Sequence, residues 1–274
     1  MEFWNHIYSH FDPVAVSLFG LKIHWYGIMY VLALISALYM AKWIVVKDKL
    51  AIEKTTLDDY FIWVEVGVIL GARLGYILFY DPYTSYYLSH PWQIFNPFNV
   101  SGEFVGIRGM SYHGALIGFL LSSYLFARKN DLSLWFLMDI VAIAVPVGYV
   151  FGRIGNFLNQ ELIGRTTDVP WGIYVDGVLR HPSQLYEALL EGLLVFIIIY
   201  AIRKRVHFSG GLALAYGVLY GLARFIAELW RAPDIQLGFV YSDWITMGQM
   251  LSLLMIGISL VGLVLLYNKK RIEH

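Results

Sequence analysis

Gly152-Arg153-Ile154-Gly155-Asn156-Phe157-Leu158-Asn159-Gln160-Glu161-Leu162-Ile163-Gly164-Arg165 is the stretch on which the reading of this chain turns. Two arginines, three side-chain amides and a carboxylate follow directly on an apolar run. In so apolar a chain, such a cluster sits at a membrane surface or in a buried polar cavity. A charge inside a bilayer costs about 2.5–3.5 kcal/mol even on lenient insertion scales, so it usually marks function. Two guanidinium forks also make a natural clamp for a phosphate.

The rest of the chain explains why the cluster stands out. It is 58% hydrophobic and 15% charged over 274 residues, where soluble domains carry about 25% charge, so a large soluble core does not fit. Seven apolar runs are long enough to cross a hydrocarbon core, near 24–46, 60–80, 112–128, 134–152, 184–202, 211–230 and 244–266. Asp139 and Pro146 interrupt the fourth. The expected fold is therefore an all-α, polytopic membrane protein of about seven transmembrane helices. It forms a single transmembrane domain over residues 1–274. Residues 1–13 lack the positive n-region of a cleavable signal peptide, so the first run reads as a permanent span.

Charge orients the spans. Lys and Arg gather after the first, third, fifth and seventh runs, twelve of the twenty in all, whereas Lys22, Arg108, Arg153, Arg165, Arg180 and Arg231 fall on the opposite side. The positive-inside rule places the twelve in the cytoplasm, with the N-terminus outside and the C-terminus inside. The two longest connections, near 81–111 and 153–183, then lie outside together with the arginine cluster. A formal net charge of +0 gives no basic footprint for nucleic acid. The absence of cysteine excludes disulfides, thiolate metal sites and a cysteine nucleophile in this chain.

Glycines recur every four residues at Gly67, Gly71 and Gly75, at Gly148 and Gly152, and at Gly217 and Gly221. Such stripes let membrane helices approach closely, and packing is the better reading of them. With Arg153 at a helix end, Asn156, Phe157, Gln160 and Glu161 fall on one face. Tyr220, Arg224, Glu228 and Arg231 form a second polar face, in which Glu228 is the local partner for a buried Arg224. Arg73 reads equally well as structurally paired with Glu65 or another acid. His113 lies among small residues in Gly109-Met110-Ser111-Tyr112-His113-Gly114-Ala115, where a ligand or backbone has room to approach. Ser111 stands two residues from His113, poor geometry for a nucleophile and its base, and no G-x-S-x-G elbow is present. His24, His113 and His181 offer no i, i+4 pair and no H-E-x-x-H, so a metal site is disfavoured. No cofactor is implied.

These pieces, in order, resemble the prolipoprotein diacylglyceryl transferases of bacteria. The resemblance rests on His24-Trp25-Tyr26-Gly27, Gly71-Ala72-Arg73-Leu74-Gly75-Tyr76, Tyr112-His113-Gly114, residues 152–165, His181-Pro182-Ser183-Gln184-Leu185-Tyr186-Glu187, Arg224 through Arg231, and Met247-Gly248-Gln249. It covers about residues 11 to 266. Ala115 stands where some members have a second glycine, and the connection between Arg165 and His181 lacks the long insertion of others.

The resemblance implies transfer of diacylglycerol from phosphatidylglycerol to the lipobox cysteine thiol of a prolipoprotein. A thioether forms and glycerol phosphate is released at the outer face of the bacterial cytoplasmic membrane. The partners it implies are phosphatidylglycerol, a prolipoprotein signal peptide with its lipobox cysteine, and the lipid bilayer. It ties Tyr26, His113, Arg153, Asn156, Glu161, Arg224 and Glu228 to activity or lipid binding.

The chemistry suits these residues. A thiol of pKa about 8.5 is only a few per cent ionised near neutrality, so a base or a positive field helps. The leaving phosphate oxygen departs as an anion, which arginines stabilise. Arg153 and Arg224 are expected to hold the phosphate, Asn156, Glu161 and Glu228 to orient them, and His113 to deprotonate the thiol or position the headgroup. Two other classes remain open. An anion transporter predicts a pathway open to each face in turn. A lipid-binding scaffold predicts binding without product release.

Overall fold

The computed structural model describes residues 2–18, 21–98, 101–103, 106–107, 109–233, 238–241 and 245–272. Arg108, read above as one of the outer charges, lies outside the described residues. Among the described residues, seven long helices carry the chain: α1 (Trp25–Lys47), α2 (Lys54–Phe79), α3 (Tyr112–Lys129), α4 (Leu134–Leu158), α5 (Ser183–Ile202), α6 (Gly211–Ala227) and α7 (Met247–Ile272). Each coincides with one expected span. Among the described residues, α1, α2, α4, α5 and α7 are long and apolar enough to cross a membrane, and α6 is a shorter apolar helix. α3 falls short because it is only 18 residues long and His113, Arg128 and Lys129 stand within it; its Gly114, Gly118, Ser122 and Ser123 are buried in helix contact. Tyr39, Ile62, Leu253 and Leu265 are each more than half exposed, as befits helices bathed in lipid rather than water.

The all-α expectation needs one correction. Among the described residues, three two-stranded antiparallel sheets accompany the helices: β1 (Val14–Leu18) with β2 (Leu21–His24), β3 (Ile173–Val175) with β4 (Val178–Arg180), and β5 (Phe239–Tyr241) with β6 (Ile245–Thr246). They are too short to register as hydropathy periods. The β3–β4 turn is Asp176-Gly177, both at positive φ (49° and 77°), the two-residue turn whose twist suits a hairpin.

The described chain divides into two compact units, residues 51–137 and residues 1–50 with 138–274. The smaller is built on α2 against α3. A Cβ on Gly71 would lie 2.8 Å from Gly118 Cα, and one on Gly75 would lie 2.8 Å from Gly114 Cα, so only glycine permits this approach. Ser111 caps α3, accepting from Gly114 N–H at 3.1 Å. Tyr60 and Ser123 close the other end with a 2.8 Å hydroxyl pair. Arg73 is structural here: its Nε donates to Ile94 O at 2.6 Å and its Nη1 to Gly109 O at 3.2 Å, pinning the connection 81–111 onto α2.

In the larger unit, α4 runs unbroken through both expected interruptions. Asp139 accepts from Gly210 N–H (2.7 Å) and Ala213 N–H (2.8 Å), so its charge answers the unpaired donors that open α6. Gly148 packs on the backbone of Ala33 in α1, and Gly217 and Gly221 pack on Ser259 and Ile256 of α7. Gly152 is the exception among the striped glycines, since a Cβ there would meet nothing within 4 Å.

Candidate active site

Arg153 sits in the last two turns of α4, where the helix leaves its apolar core. Its Nε donates to Tyr149 Oη at 2.7 Å, and its Nη1 donates to Asn156 Oδ1 at 3.2 Å. The Asn156 amide in turn donates to Glu161 Oε1 at 2.7 Å. α4 ends at Leu158, so the single polar face expected through Glu161 splits. Gln160 and Leu162 take left-handed conformations that turn the chain back, bringing Glu161 to Asn156 by a loop. Phe157 leaves the polar group for an aromatic cluster with Trp4, Tyr8 and Phe11. Gln160 donates to the Tyr8 and Phe11 carbonyls. Within that cluster, burial raises the Tyr8 hydroxyl pKa above its ordinary value.

Arg224 comes to the same place from α6. Its Nη2 pairs with Glu228 one turn on, the local partner that the spacing indicates. Its Nη1 lies 3.4 Å from Glu187 and 3.5 Å from Glu191, both on α5. Glu187 also stands 2.9 Å from Arg153 Nε and 3.4 Å from Arg231 Nη1, so one carboxylate faces three guanidiniums. The Arg153 contact is ionic only, because the Nε–H is aimed at Tyr149, and Glu187 Oε2 accepts no hydrogen bond among the described residues. Tyr149 donates to Glu191 and meets Tyr220 edge to face at 5.6 Å. Three arginines thus meet three carboxylates directly, and a fourth, Glu161, through Asn156.

Two elements that sequence reasoning missed complete the network. The first is the fully buried pair Glu187, just before a π-helical turn (Ala188–Leu194), and Glu191, within that turn, a distortion that recurs at functional sites. Two acids four residues apart inside an apolar span were the available signal, since such charges require partners. The second is Thr246. It caps α7 in a reciprocal box with Gln249: Gln249 N–H donates to Thr246 Oγ1 (3.2 Å) and Thr246 N–H to Gln249 Oε1 (3.1 Å). The Thr246 hydroxyl then donates to Glu228 Oε2 at 2.8 Å. Gly248 lies against the same carboxylate, with no room for a Cβ. Met247-Gly248-Gln249 is therefore the start of a helix shaped around Glu228.

Arg165 serves the scaffold. Its Nε donates to Arg231 O (2.9 Å) and its Nη2 to Glu228 O (3.1 Å), tying the 152–165 segment to the end of α6. Gln184 donates to Glu161 O at 2.5 Å, and Ser183 to Leu162 O at 3.2 Å. His181 contacts Tyr186 Oη at 3.2 Å, and partial burial lowers its pKa against the opposing pull of Asp168.

Tyr26, in the first turn of α1, is within electrostatic reach of Arg153 and Glu161, and it approaches Gly155. It is 42% exposed, so it stands at the rim of the network rather than inside it. His113 belongs to the smaller unit. It is exposed at the start of α3, with Nδ1 3.4 Å from Tyr80 Oη. Of the expected site residues, the larger unit brings together Tyr26, Arg153, Asn156, Glu161, Arg224 and Glu228.

The sequence profile of prolipoprotein diacylglyceryl transferases matches residues 13–265. The chain belongs to the prolipoprotein diacylglyceryl transferase family. Relatives called phosphatidylglycerol–prolipoprotein diacylglyceryl transferase include one from Wolinella succinogenes, 66% identical over 252 residues and covering 92% of each chain. Another, from Campylobacter lari, is 62% identical over all of this chain and 99% of the relative. A third, from Aliarcobacter butzleri, is 60% identical over the full length of both. This transferase is accordingly a multi-pass membrane enzyme with bacterial relatives. The ion network lies within the matched residues, and every residue that builds it belongs to the larger unit.

Proposed function

We propose that this enzyme transfers the diacylglyceryl group of phosphatidylglycerol to the lipobox cysteine of a prolipoprotein, and that Arg153 and Arg224 hold the lipid phosphate during transfer. The thiolate sulfur forms a bond to the glyceryl carbon. The C–O bond to the phosphate breaks, and its electron pair leaves with glycerol phosphate. Charge on the phosphate grows as that bond breaks, so guanidiniums aimed at it stabilise the transition state more than the bound lipid.

The observation that carries this reading is the convergence of Arg153 and Arg224, from two helices, on the single carboxylate of Glu187, at 2.9 and 3.4 Å. Both arginine side chains keep 15% of their surface exposed, whereas Glu187 has none. The carboxylates therefore fix the guanidiniums from behind and leave an open edge for an anion. Arg153 Nη2 carries no hydrogen bond among the described residues, so two N–H donors remain for a phosphate oxygen. Asn156, Glu161 and Glu228 hold the two forks in register. Tyr26 stands at the rim, where a headgroup hydroxyl would arrive. His113 takes the thiol proton or positions the headgroup.

Both units act as one transmembrane domain. The segments near 81–111 and 153–183 face the outer side of the bacterial cytoplasmic membrane, as the distribution of Lys and Arg requires.

The test is glycerol phosphate release by the purified protein, given phosphatidylglycerol and a lipobox peptide, with a Cys→Ser peptide as control. Release that requires the cysteine, with a matching gain in peptide mass, is expected. Lipid binding without release would leave a lipid-binding protein, and anion flux without release a transporter.

A further inference from the structure

The ends of α1 and α5 remote from the ion network carry a second polar cluster, built on different terms. α1 finishes at Lys47 and α5 at Ile202, and a cavity of about 510 Å³ opens beside these ends. Lys47, Asp48, Lys49, Arg203, Lys204 and His207 line it. Three lysines and an arginine thus face one carboxylate, where the ion network matches its charges nearly one to one.

Two of the cations are fixed. Arg203 donates Nε to Asp48 Oδ2 at 2.7 Å and Nη1 to Tyr200 O at 2.6 Å, and its guanidinium stacks 3.7 Å from the Tyr200 ring centroid. Lys47 donates to Tyr200 Oη and lies 4.1 Å over the Trp43 ring. The other two stand at the opening. Lys204 is 70% exposed and 3.8 Å from Asp48. Lys49 is exposed and holds a left-handed conformation, φ 51°.

That conformation is informative. Leu50 N–H bonds Val45 O at 3.0 Å and Lys49 N–H reaches Val46 O at 3.4 Å, the pairing that ends a helix on a left-handed residue. Glycine is the residue such a position favours. Lysine is strained there, which makes sense where its charge is used. From α7, Lys270 donates to His207 O at 2.8 Å and adds a further cation at the edge. A general preference for cations on one membrane side, or at helix C-termini, accounts for their presence. It does not account for their convergence on one concave site with a single acid, or for the aromatic rings of Trp43 and Tyr200 that hold two of them.

We propose that this cavity binds a phosphate group, with Arg203 and Lys47 as a fixed wall and Lys49 and Lys204 as the closing donors. Its source is the headgroup of an anionic phospholipid in the leaflet at this end of α1 and α5, because basic pockets between membrane helices suit such headgroups. The site does not depend on the transferase reading, since it shares no residue with the ion network.

Native mass spectrometry of the purified full-length protein tests it, with phosphatidic acid as probe, phosphatidylcholine of the same acyl chains as control, and inorganic phosphate as competitor. The comparison is between the parent and a Lys49→Gly, Lys204→Ala variant. Lys49→Gly removes the charge at a position glycine prefers, so folding is preserved, and an unchanged melting temperature checks this. We expect phosphatidic acid to bind in excess over phosphatidylcholine and its Kd to rise at least tenfold in the variant, with glycerol phosphate release unchanged. Equal binding by parent and variant, or equal binding of phosphatidylcholine, overturns the proposal. Displacement by millimolar inorganic phosphate keeps the phosphate site but overturns the lipid as its source.

Discussion

The α2–α3 pair and the ion network solve the same problem, joining helices where lipid offers no hydrophobic drive, by opposite means. α2 and α3 meet through Gly67, Gly71, Gly75, Gly114 and Gly118, with backbone against backbone. α4, α5, α6 and α7 meet through Arg153, Glu187, Glu191, Arg224, Glu228 and Thr246, with charge against charge. The first interface is closed by backbone contact and has no room for a Cβ at Gly67, Gly71, Gly75, Gly114 or Gly118. The second tolerates some rearrangement but no uncompensated charge. On the proposed reading, the site receives an anion and releases a product, which suits the second kind, because there a ligand can exchange for contacts already present.

The largest break in this contrast is Glu187→Ala. It strips Arg153, Arg224 and Arg231 of their shared acid, and an uncompensated buried charge costs about 3–5 kcal/mol. Unfolding of the detergent-solubilised protein should show that loss. A small loss would mean that the network does not hold the helices.

Arg153→Lys comes next. It retains charge but removes the fork, so kcat should fall by about 10²–10³, as when one preorganised donor to a developing anion is removed. Stability should change much less than in Glu187→Ala. Full turnover would show that point charge suffices and that bidentate geometry is irrelevant.

Gly71→Ala probes the glycine interface. Its Cβ would collide with Gly114 and Gly118, and overpacking of this kind costs about 1–3 kcal/mol. An unchanged melting temperature would contradict so close an approach.

Two helix caps sharpen the comparison at lower amplitude. Ser111→Ala in the glycine-packed unit removes one cap bond and should cost about 1 kcal/mol. Thr246→Val removes a cap bond and a bond to the Glu228 carboxylate, so its cost should be roughly double. Equal losses would mean that Glu228 does not draw on Thr246.

The smallest expected effect is pH-dependent. Partial burial holds the His181 pKa below its usual 6.5, so the fold favours the neutral ring. Its contribution is intact above that value and is lost as pH falls through 6.5, levelling off once the folded ring is protonated. A His181→Gln variant should flatten this shallow decline in the melting temperature between pH 7 and 5.

The legibility of each region follows from its physics. The glycine stripe on α2 could be read directly, because packing by small residues leaves a period of four in one segment. Gly152 shares that spacing yet packs against nothing within 4 Å, so the period alone overstates the contact. Arg224 with Glu228 was equally legible, both lying on one face one turn apart. Glu191 was not, because its partners lie 42 and 33 residues away in Tyr149 and Arg224, and nothing local distinguishes it from a stray charge in an apolar run. Gln160 was misplaced because the left-handed turn after Leu158 ends the helix that its spacing assumed.

By itself the sequence determined a many-spanning helical protein, because hydropathy over some twenty residues is a local property set by the bilayer's thickness. It determined the family too, through segments whose order and residues match along nearly the whole chain. The tertiary structure alone decided which charges meet. Glu187 faces three arginines from α4, α6 and the segment after α6, Thr246 turns a helix cap into a support for Glu228, and Asp139 caps a different helix from its own. The physical reason is that a buried charge is satisfied by whatever lies beside it in space. In a bundle of helices that neighbour is seldom nearby in the chain.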